Sequence, residues 1–215
     1  MSLTFNSSAA READKFAAII KDTGKYVGVI TRAEKLLSKN SVEGVGLSFK
    51  SDDGATANYL DVYTARADGS LLRGYHLVQA LLVCCGVKEV AEGPITFDKW
   101  TRDQGIVETT VPGYPALMGK RIGLILQKEL STHRDTGADV ERVNIVAVFQ
   151  ANTGLTATEI LDGKTKAEKT DARMKALTPV YDKRDPAMKK AAAMRPASDN
   201  SPPPIEFDDI GDLKF

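Results

Sequence analysis

The chain has 215 residues, of which 42% are hydrophobic and 27% are charged, and its 29 basic and 29 acidic side chains give a formal net charge of zero. This composition is typical of a soluble globular protein with one ordinary domain plus appendages, or with two small domains at most. No apolar run approaches the roughly 20 residues of a membrane span, and the first residues lack the features of a signal peptide, so we expect neither a membrane protein nor a secreted one.

The neutral total conceals a division of charge along the chain. Residues 1–163 carry 18 basic and 20 acidic side chains, residues 164–195 carry 10 and 4, and residues 196–215 carry 1 and 5. A near-neutral body is therefore followed by a basic segment and then by an acidic end. Such an asymmetry indicates an anionic partner that one part of the chain binds and another part imitates.

The predicted elements begin with an amphipathic helix over residues 8–21, capped by Ser8, which we expect to pack on the body as a lid. The hydrophobic period then changes to two, which is typical of strands. Three strands are predicted there: Lys25–Glu34, Val45–Lys50 and Asn58–Thr64. In the third strand the alternation places Tyr59 and Tyr63 on the face opposite the core.

A well-marked helix should follow the third strand. Apolar residues recur at three- and four-residue spacing between Ser70, which we expect to be the cap, and Gly86, which should end the helix. Residues 87–119 look irregular, apart from a short strand pair around Ile95–Phe97 and Ile106–Val111. Two long strands are predicted after them, Lys120–Leu130 and Val140–Gln150.

This order of elements predicts a mainly β protein: a five-stranded OB-fold barrel with a helix between strands three and four, plus an N-terminal helix and a disordered C-terminal tail. A small β-sandwich is the main competitor, and the single helix argues against it. We expect a barrel domain over residues 1–162, a basic, partly helical or disordered linker over residues 163–198, and an acidic disordered tail over residues 199–215. A capping box from Thr156 to Glu159 predicts a short helix at the end of the barrel domain.

Patterns that indicate catalysis are scarce. His76 and His133 have no Cys, His or carboxylate neighbours at metal-ligand spacing, and the chain contains no GxSxG, GxxxxGK[ST] or GxGxxG motif. Asp52-Asp53 belongs to a turn, where aspartate bonds to nearby backbone groups. The adjacent Cys84 and Cys85 form no CxxC motif and fit buried, reduced thiols. The sequence therefore predicts a protein that is not an enzyme and needs no cofactor or metal.

Aromatic residues interleaved with cations favour a single-stranded nucleic acid, because each base offers a π face and each nucleotide offers a phosphate. Tyr59 and Tyr63 share a strand face, Trp100 lies between two cations, and Tyr114 stands in a Pro-Gly-Tyr-Pro loop from which it could project. Packing under the N-terminal helix explains the strand tyrosines equally well, and a small satellite core explains Trp100. The candidate DNA-binding residues are Lys50, Tyr59, Tyr63, Arg66, Lys99, Trp100, Arg102, Tyr114, Lys120 and Arg121.

Four stretches resemble phage-encoded single-stranded-DNA-binding proteins with an OB fold: GKYVGVITRAEKLLSKN, LLVCCGV, LMGKRIGLILQKE and VFQANTGLTATEIL. Together they span roughly residues 20–162. The resemblance implies a non-catalytic protein that coats and protects single-stranded DNA, with little sequence preference, during phage replication or recombination in the host cytoplasm.

The tail, SPPPIEFDDIGDLKF, sets bulky apolar residues among acidic ones behind three prolines, and no packed core can be built from it. It resembles the acidic, Phe-terminated tails by which bacterial and phage single-strand binders recruit replication and repair proteins. That likeness implies that the tail binds partners and competes with DNA for basic residues. The residues expected to bind a partner are Phe207, Asp208, Asp209, Ile210, Asp212 and Phe215. Lys214 replaces the proline that bacterial tails usually have, which favours a phage-encoded partner; a frayed, solubilising terminus is the plainer alternative.

Two further functions stay open at this point. One is an adaptor whose OB barrel binds protein and not DNA, and the other is a nuclease or another DNA-processing enzyme with an unrecognised site. The sequence also leaves open the oligomeric state, a homo-oligomer included, and whether RNA or duplex DNA is bound.

Overall fold

The structure, a computed structural model, describes residues 18–101, 103–133 and 136–184, without the side chain of Trp100. These residues are mainly β, as predicted. The strands are β1 (Gly24–Leu37), β2 (Glu43–Ser51), β3 (Thr56–Ala65), β4 (Gly93–Thr101), β5 (Gly105–Gly113), β6 (Arg121–Thr132), β7 (Asp139–Phe149) and β8 (Val180–Asp182). The helices are α1 (Arg73–Cys85), α2 (Ala157–Leu161) and α3 (Glu168–Lys175), and a 3-10 turn covers Pro115–Leu117. No helix in the described part of the chain is long and apolar enough to cross a membrane.

The strands form one open sheet around β1. β1 pairs with β2 over Gly28–Leu37 and with β6 over Gly24–Val29, and β3 continues the sheet beyond β2. β6 also pairs with β7 and, in the one parallel ladder among the described strands, with the short β8. No ladder within the described ranges joins β3 to β7; α1 packs against both strands instead.

The core lies between the inner faces of β1, β2, β3 and β6 and helix α1. The alternation predicted for β2 and β3 is confirmed, because Leu47, Phe49 and Leu60 are buried while Tyr59 and Tyr63 are exposed. Further fully buried side chains of this core are Ile30, Leu117, Ile122, Leu124 and Leu126. One face of the sheet is therefore committed to stability, and the outer face is left for other contacts.

Residues 87–119 are more regular than predicted. β4 and β5 form a hairpin of two nine-residue strands, which contains the expected strand pair and extends it in both directions. Its base reaches the outer side of β1, where the Tyr114 N–H donates to the Ala33 carbonyl at 2.8 Å. Gly113 is needed there, because a Cβ would lie 2.4 Å from that carbonyl oxygen. The prolines near the base make these strands difficult to predict from the sequence, because proline normally interrupts a ladder.

Helix α1 ends as predicted but begins later. Leu72 occupies the N-cap position without a side-chain hydrogen bond, whereas Ser70 lies in the preceding turn, where its Oγ accepts from Arg66 at 3.2 Å. Gly86 ends the helix in the left-handed conformation at φ 65°. Near this end Cys84 is buried and Cys85 half-buried, both as free thiols. Burial raises the pKa of Cys84 to about 12 and that of Cys85 to about 11, so both stay protonated at neutral pH.

The structure describes only the end of the predicted N-terminal helix, and there the prediction of a helix is wrong. Ile19 forms a parallel bridge with Thr56, and the Ile20 N–H donates to the Thr56 carbonyl at 2.8 Å. Ile20 enters the core, so pairing with β3 and burial override the helical spacing. The remainder of that helix, residues 8–17, lies outside the described residues.

Residues 163–184 are also more ordered than the linker that we predicted. Thr170 in α3 is fully buried, and its Oγ1 donates to the Gly154 carbonyl at 2.6 Å. β8 follows and adds a strand to β6. The described residues up to Lys183 belong to one compact unit. Residues 185–198 of the predicted linker, and the tail over residues 199–215, lie outside the described residues.

The buried carboxylate of Glu159 joins α2 to α3. Its Oε2 accepts from the Thr156 N–H at 2.8 Å and from the Thr156 hydroxyl at 2.9 Å, which confirms the predicted capping box. Its Oε1 accepts from the N–H groups of Glu168 and Lys169, both at 2.8 Å, at the start of α3. Burial alone would raise the pKa of Glu159, but these hydrogen bonds outweigh it and lower the pKa to about 2.

Replacing Glu159 with glutamine should lower the free energy of unfolding by about 2 kcal/mol at neutral pH, because hydrogen bonds to a charged acceptor are lost. The pKa of Glu159 is about 2 in the folded protein and 4.5 in its reference state, so its contribution is complete above pH 4.5 and lost as the pH falls towards 2. Urea denaturation of both proteins across that range measures the difference. A difference in the free energy of unfolding that stays constant down to low pH would contradict this role of Glu159.

Candidate nucleic-acid interface

A β-bulge in β1 turns Arg32 to the outer face of the sheet. Ile30 pairs with Phe49 and Arg32 pairs with Ser48, so Thr31 is an extra residue on β1. Because side chains alternate along a strand with a period of two, Arg32 would otherwise share the inner face with Ile30. The bulge therefore places a guanidinium on the outer face at the middle of the sheet.

A second bulge lies on the other side of Ser48, in β3. The β2–β3 register shifts between Leu47 and Phe49, which leaves one extra residue on β3 at Asn58–Tyr59. Tyr59 has φ +58°, in the left-handed region. This conformation costs a non-glycine residue about 1–2 kcal/mol, and such strain is found most often at functional sites. Two bulges side by side thus shape the outer surface around Ser48.

The β4–β5 hairpin lies beside these bulges and encloses a cleft of about 240 Å³. The buried Ile95 anchors the hairpin near its base. The cleft is lined by Arg32, Ser48, Asn58 and Tyr59 from the sheet and by Phe97, Asp98, Lys99 and Ile106 from the hairpin. Its volume is that of about eight water molecules, which leaves room for one planar ring system.

Arg32 is the central group of this cleft. Its Cζ lies 5.3 Å from the ring centroid of Tyr59 and 5.4 Å from that of Phe97, within cation–π distance of both. The side chain is only 9% exposed, and its Nη1 lies 3.4 Å from a Glu34 carboxylate oxygen. Its Nε has no hydrogen-bond partner among the described residues. A buried cation with an unused donor is costly, which is typical of a group kept for binding.

The rim of the cleft offers an aromatic surface and a cation. Tyr59 is 69% exposed and Ile106 is 73% exposed, so both present apolar surface to solvent. Lys99 supplies a positive charge at the same opening, and Asp98 beside it supplies a negative one. A ligand with a flat apolar ring and an anionic group fits this combination.

Two of the predicted DNA-binding residues, Tyr59 and Lys99, meet in this cleft. Tyr63 lies on the same outer face of β3 but lines a different cleft. Trp100 is placed by its backbone opposite Ile106 in the hairpin, and Arg102 lies outside the described residues.

The other predicted residues lie away from the cleft. Tyr114 is half-buried against the core and does not project from its loop, and burial raises the pKa of its hydroxyl. Arg121 pairs with Asp52 at 2.5 Å, and Arg66 bonds to the hydroxyl of the nearby Ser70. Lys50 and Lys120 are exposed at other positions of the sheet.

Sequence reasoning missed Arg32, Ser48, Phe97 and Ile106. A signal for Arg32 was present, because a charged residue at an inward position of an alternating strand indicates a bulge. Phe97 and Ile106 lay at the ends of the predicted short strand pair, but the sequence did not show that the β4–β5 hairpin packs beside Tyr59.

No protein-family model matches the chain, and a search of the curated proteins found no significant match. Among the described residues, no group of three or more His, Cys, Asp or Glu side chains is placed to hold a metal ion.

The strain at Tyr59 yields a prediction that is independent of any ligand. Glycine adopts positive φ without cost whereas alanine does not, so the Tyr59→Gly protein should be about 1 kcal/mol more stable than the Tyr59→Ala protein. Both substitutions remove the same exposed ring, which makes them a matched pair. Urea denaturation measures the difference, and a Tyr59→Ala protein at least as stable as Tyr59→Gly would show that this residue is not left-handed.

Proposed function

We propose that this protein binds single-stranded DNA, without catalysis and with little sequence preference, in the cleft between Tyr59 and the β4–β5 hairpin. The observation that carries the proposal is the buried Arg32 cation between the rings of Tyr59 and Phe97, beneath an exposed tyrosine face. A base stacks on Tyr59, and Lys99 contacts a neighbouring phosphate. Stacking of this kind is worth about 1–3 kcal/mol per base and does not depend on the base.

The fold in this proposal is an OB barrel with an open seam. β1, β2 and β3 are its first three strands, α1 follows them, and β6 and β7 are its fourth and fifth strands. Three observations support this assignment: the β1–β6 ladder, the β6–β7 hairpin and the position of α1 against β3 and β7. The β4–β5 hairpin is an insertion after α1. OB folds commonly bind oligonucleotides on the surface of their second and third strands, where the cleft lies here.

The biological role that we propose is the coating of single-stranded DNA during phage replication or recombination, in the host cytoplasm. It is supported by the resemblance of residues 20–162 to phage single-strand binders and by the division of charge along the chain. In this role the acidic tail recruits replication or recombination proteins and competes with DNA for basic residues.

Replacing Tyr59 with alanine should weaken binding of an oligothymidylate about 5-fold to 150-fold, because one stacking contact is lost. The Tyr59→Phe protein keeps the ring and should bind like the unaltered protein. Leu161→Ala, which removes another exposed apolar side chain on α2, is the control for surface changes in general. Mobility shift and the fluorescence of Trp100 both report binding.

The salt dependence of the same titration tests whether Lys99 contacts a phosphate. Lys99→Ala should reduce the slope of log affinity against log salt by about 1, whereas Lys88→Ala, an exposed lysine outside the cleft, should not. If the protein shows no salt-dependent binding of DNA, the result would favour the alternative of an adaptor whose OB barrel binds protein. Divalent-metal-dependent cleavage of a labelled strand would favour the processing enzyme. Either result contradicts the proposal.

Deleting residues 201–215 removes four acidic side chains and one basic one, and should tighten binding of single-stranded DNA while abolishing partner recruitment. A full-length protein with Asp208, Asp209 and Asp212 changed to asparagine separates charge from length. It should bind DNA as tightly as the truncated protein. Equal affinity with and without the tail would refute the competition between tail and DNA, and leave the cleft's role untouched.

A further inference from the structure

A second and larger cleft, of about 740 Å³, lies between β3 and β7 beside α1, and its lining begins at Asp61, two residues after Tyr59. Tyr63 forms part of its wall and is 41% exposed, and Tyr181 of β8 lies in the wall at 49% exposure. The other walls come from α1, β6, β7, α2 and α3. Like the cleft at Tyr59, it combines exposed tyrosine surface with basic side chains.

Some charged side chains in the wall of this second cleft form an ion pair, and others do not. Glu129 and Lys183 pair with each other at 2.7 Å, so their charges offset one another within the wall. Arg73 of α1 and Arg173 of α3 also line the cleft, are exposed, and form no ion pair with a described residue. Asp61, on β3 between the two tyrosines, is the other carboxylate of the wall. Apart from the Glu129–Lys183 pair, the wall therefore carries two guanidinium groups and one carboxylate.

The two clefts share one strand face. Tyr59, Asp61 and Tyr63 alternate outward along β3, while Leu60 and Val62 point into the protein. At about 3.3 Å per residue, the two tyrosines are about 13 Å apart along the strand. A ligand that fills both clefts must be extended, must carry several flat groups, and must be anionic. A single-stranded nucleic acid has these three properties.

We propose that the strand bound at Tyr59 continues along the outer face of β3 into the second cleft, where a base contacts Tyr63 and phosphates contact Arg73 and Arg173. This inference rests on the proposed function and extends it. It makes the binding site longer than the cleft at Tyr59, and it assigns α3 and β8, from the segment expected to be a linker, to the DNA-binding surface.

Oligothymidylates of two lengths test the proposal: one of about 2 nucleotides, which is too short to span the distance of about 13 Å between the two tyrosines and fills only the cleft at Tyr59, and one of about 16 nucleotides, which reaches both clefts. Arg173→Ala should weaken binding of the long strand about fivefold and lower its salt slope by about 1, and should leave the short strand unchanged. Lys175→Ala is the matched control, because it removes the same charge from the same helix outside the cleft. Tyr59→Ala should weaken both lengths.

A gain of affinity provides a second test that loss of folding cannot imitate. Asp61→Asn removes the negative charge between the two tyrosines and should tighten binding of the long strand about threefold without affecting the short one.

If Arg173→Ala behaves like Lys175→Ala and Asp61→Asn leaves binding of the long strand unchanged, the second cleft is not part of the site, although Tyr59→Ala still reports on the first. If neither length binds the unaltered protein, the proposed function fails and this inference fails with it. An acidic peptide that binds more weakly to the Arg173→Ala protein, with the long strand unaffected, would also overturn it.

Discussion

The sheet depends on one strand that changes partners. β1 pairs with β2, β5 and β6, and its ladders with β2 and β6 overlap at Gly28 and Val29. Gly28 faces Ser51 on β2 and Ile122 on β6. A Cβ on Gly28 would lie 2.1 Å from the Lys50 carbonyl oxygen, so only glycine allows the two strands to approach so closely. Beyond this crossing β1 is free of β6 and can bulge at Thr31. The outward Arg32, the docking point of the hairpin at Ala33 and the cleft between them all follow from that change of partner.

Local signals made part of this fold predictable. The alternation of β2 and β3, the glycine that ends α1 and the capping box at Thr156 each depend on neighbouring residues, and each is present as expected. The failures have a common cause in contacts between distant parts of the chain. Ile19 and Ile20 fit a helical pattern, but pairing with Thr56 decides their conformation. Likewise, α3 is ordered because Glu159 caps it, and no property of its own polar sequence reveals this.

For the same reason, only two of the eight residues that line the candidate cleft were predicted from the sequence. Tyr59 and Lys99 could be named because an exposed aromatic face and a nearby cation are visible in the sequence. Arg32 was missed, although a charged residue at an inward position of β1 indicates a bulge; the β1–β2 register shows where that bulge lies. Arg121 stays a candidate, but it forms an ion pair with Asp52, which lies 69 residues earlier in the chain. A cation's availability is a property of the folded surface, and composition alone cannot separate a paired guanidinium from an unpaired one.

The two sides of β3 differ in what they contribute to stability. Leu60 and Val62 on its inner side are buried, so changes there open cavities and destabilise the protein. Tyr59 on its outer side is 69% exposed, contributes little buried area, and even imposes backbone strain. A tyrosine in the left-handed conformation lowers the stability of the protein, whereas glycine at the same position would not. Another property of the tyrosine must therefore explain its presence there. The exposed ring of Tyr59, held against a buried cation, supplies that reason if its partner is a planar group from outside the protein.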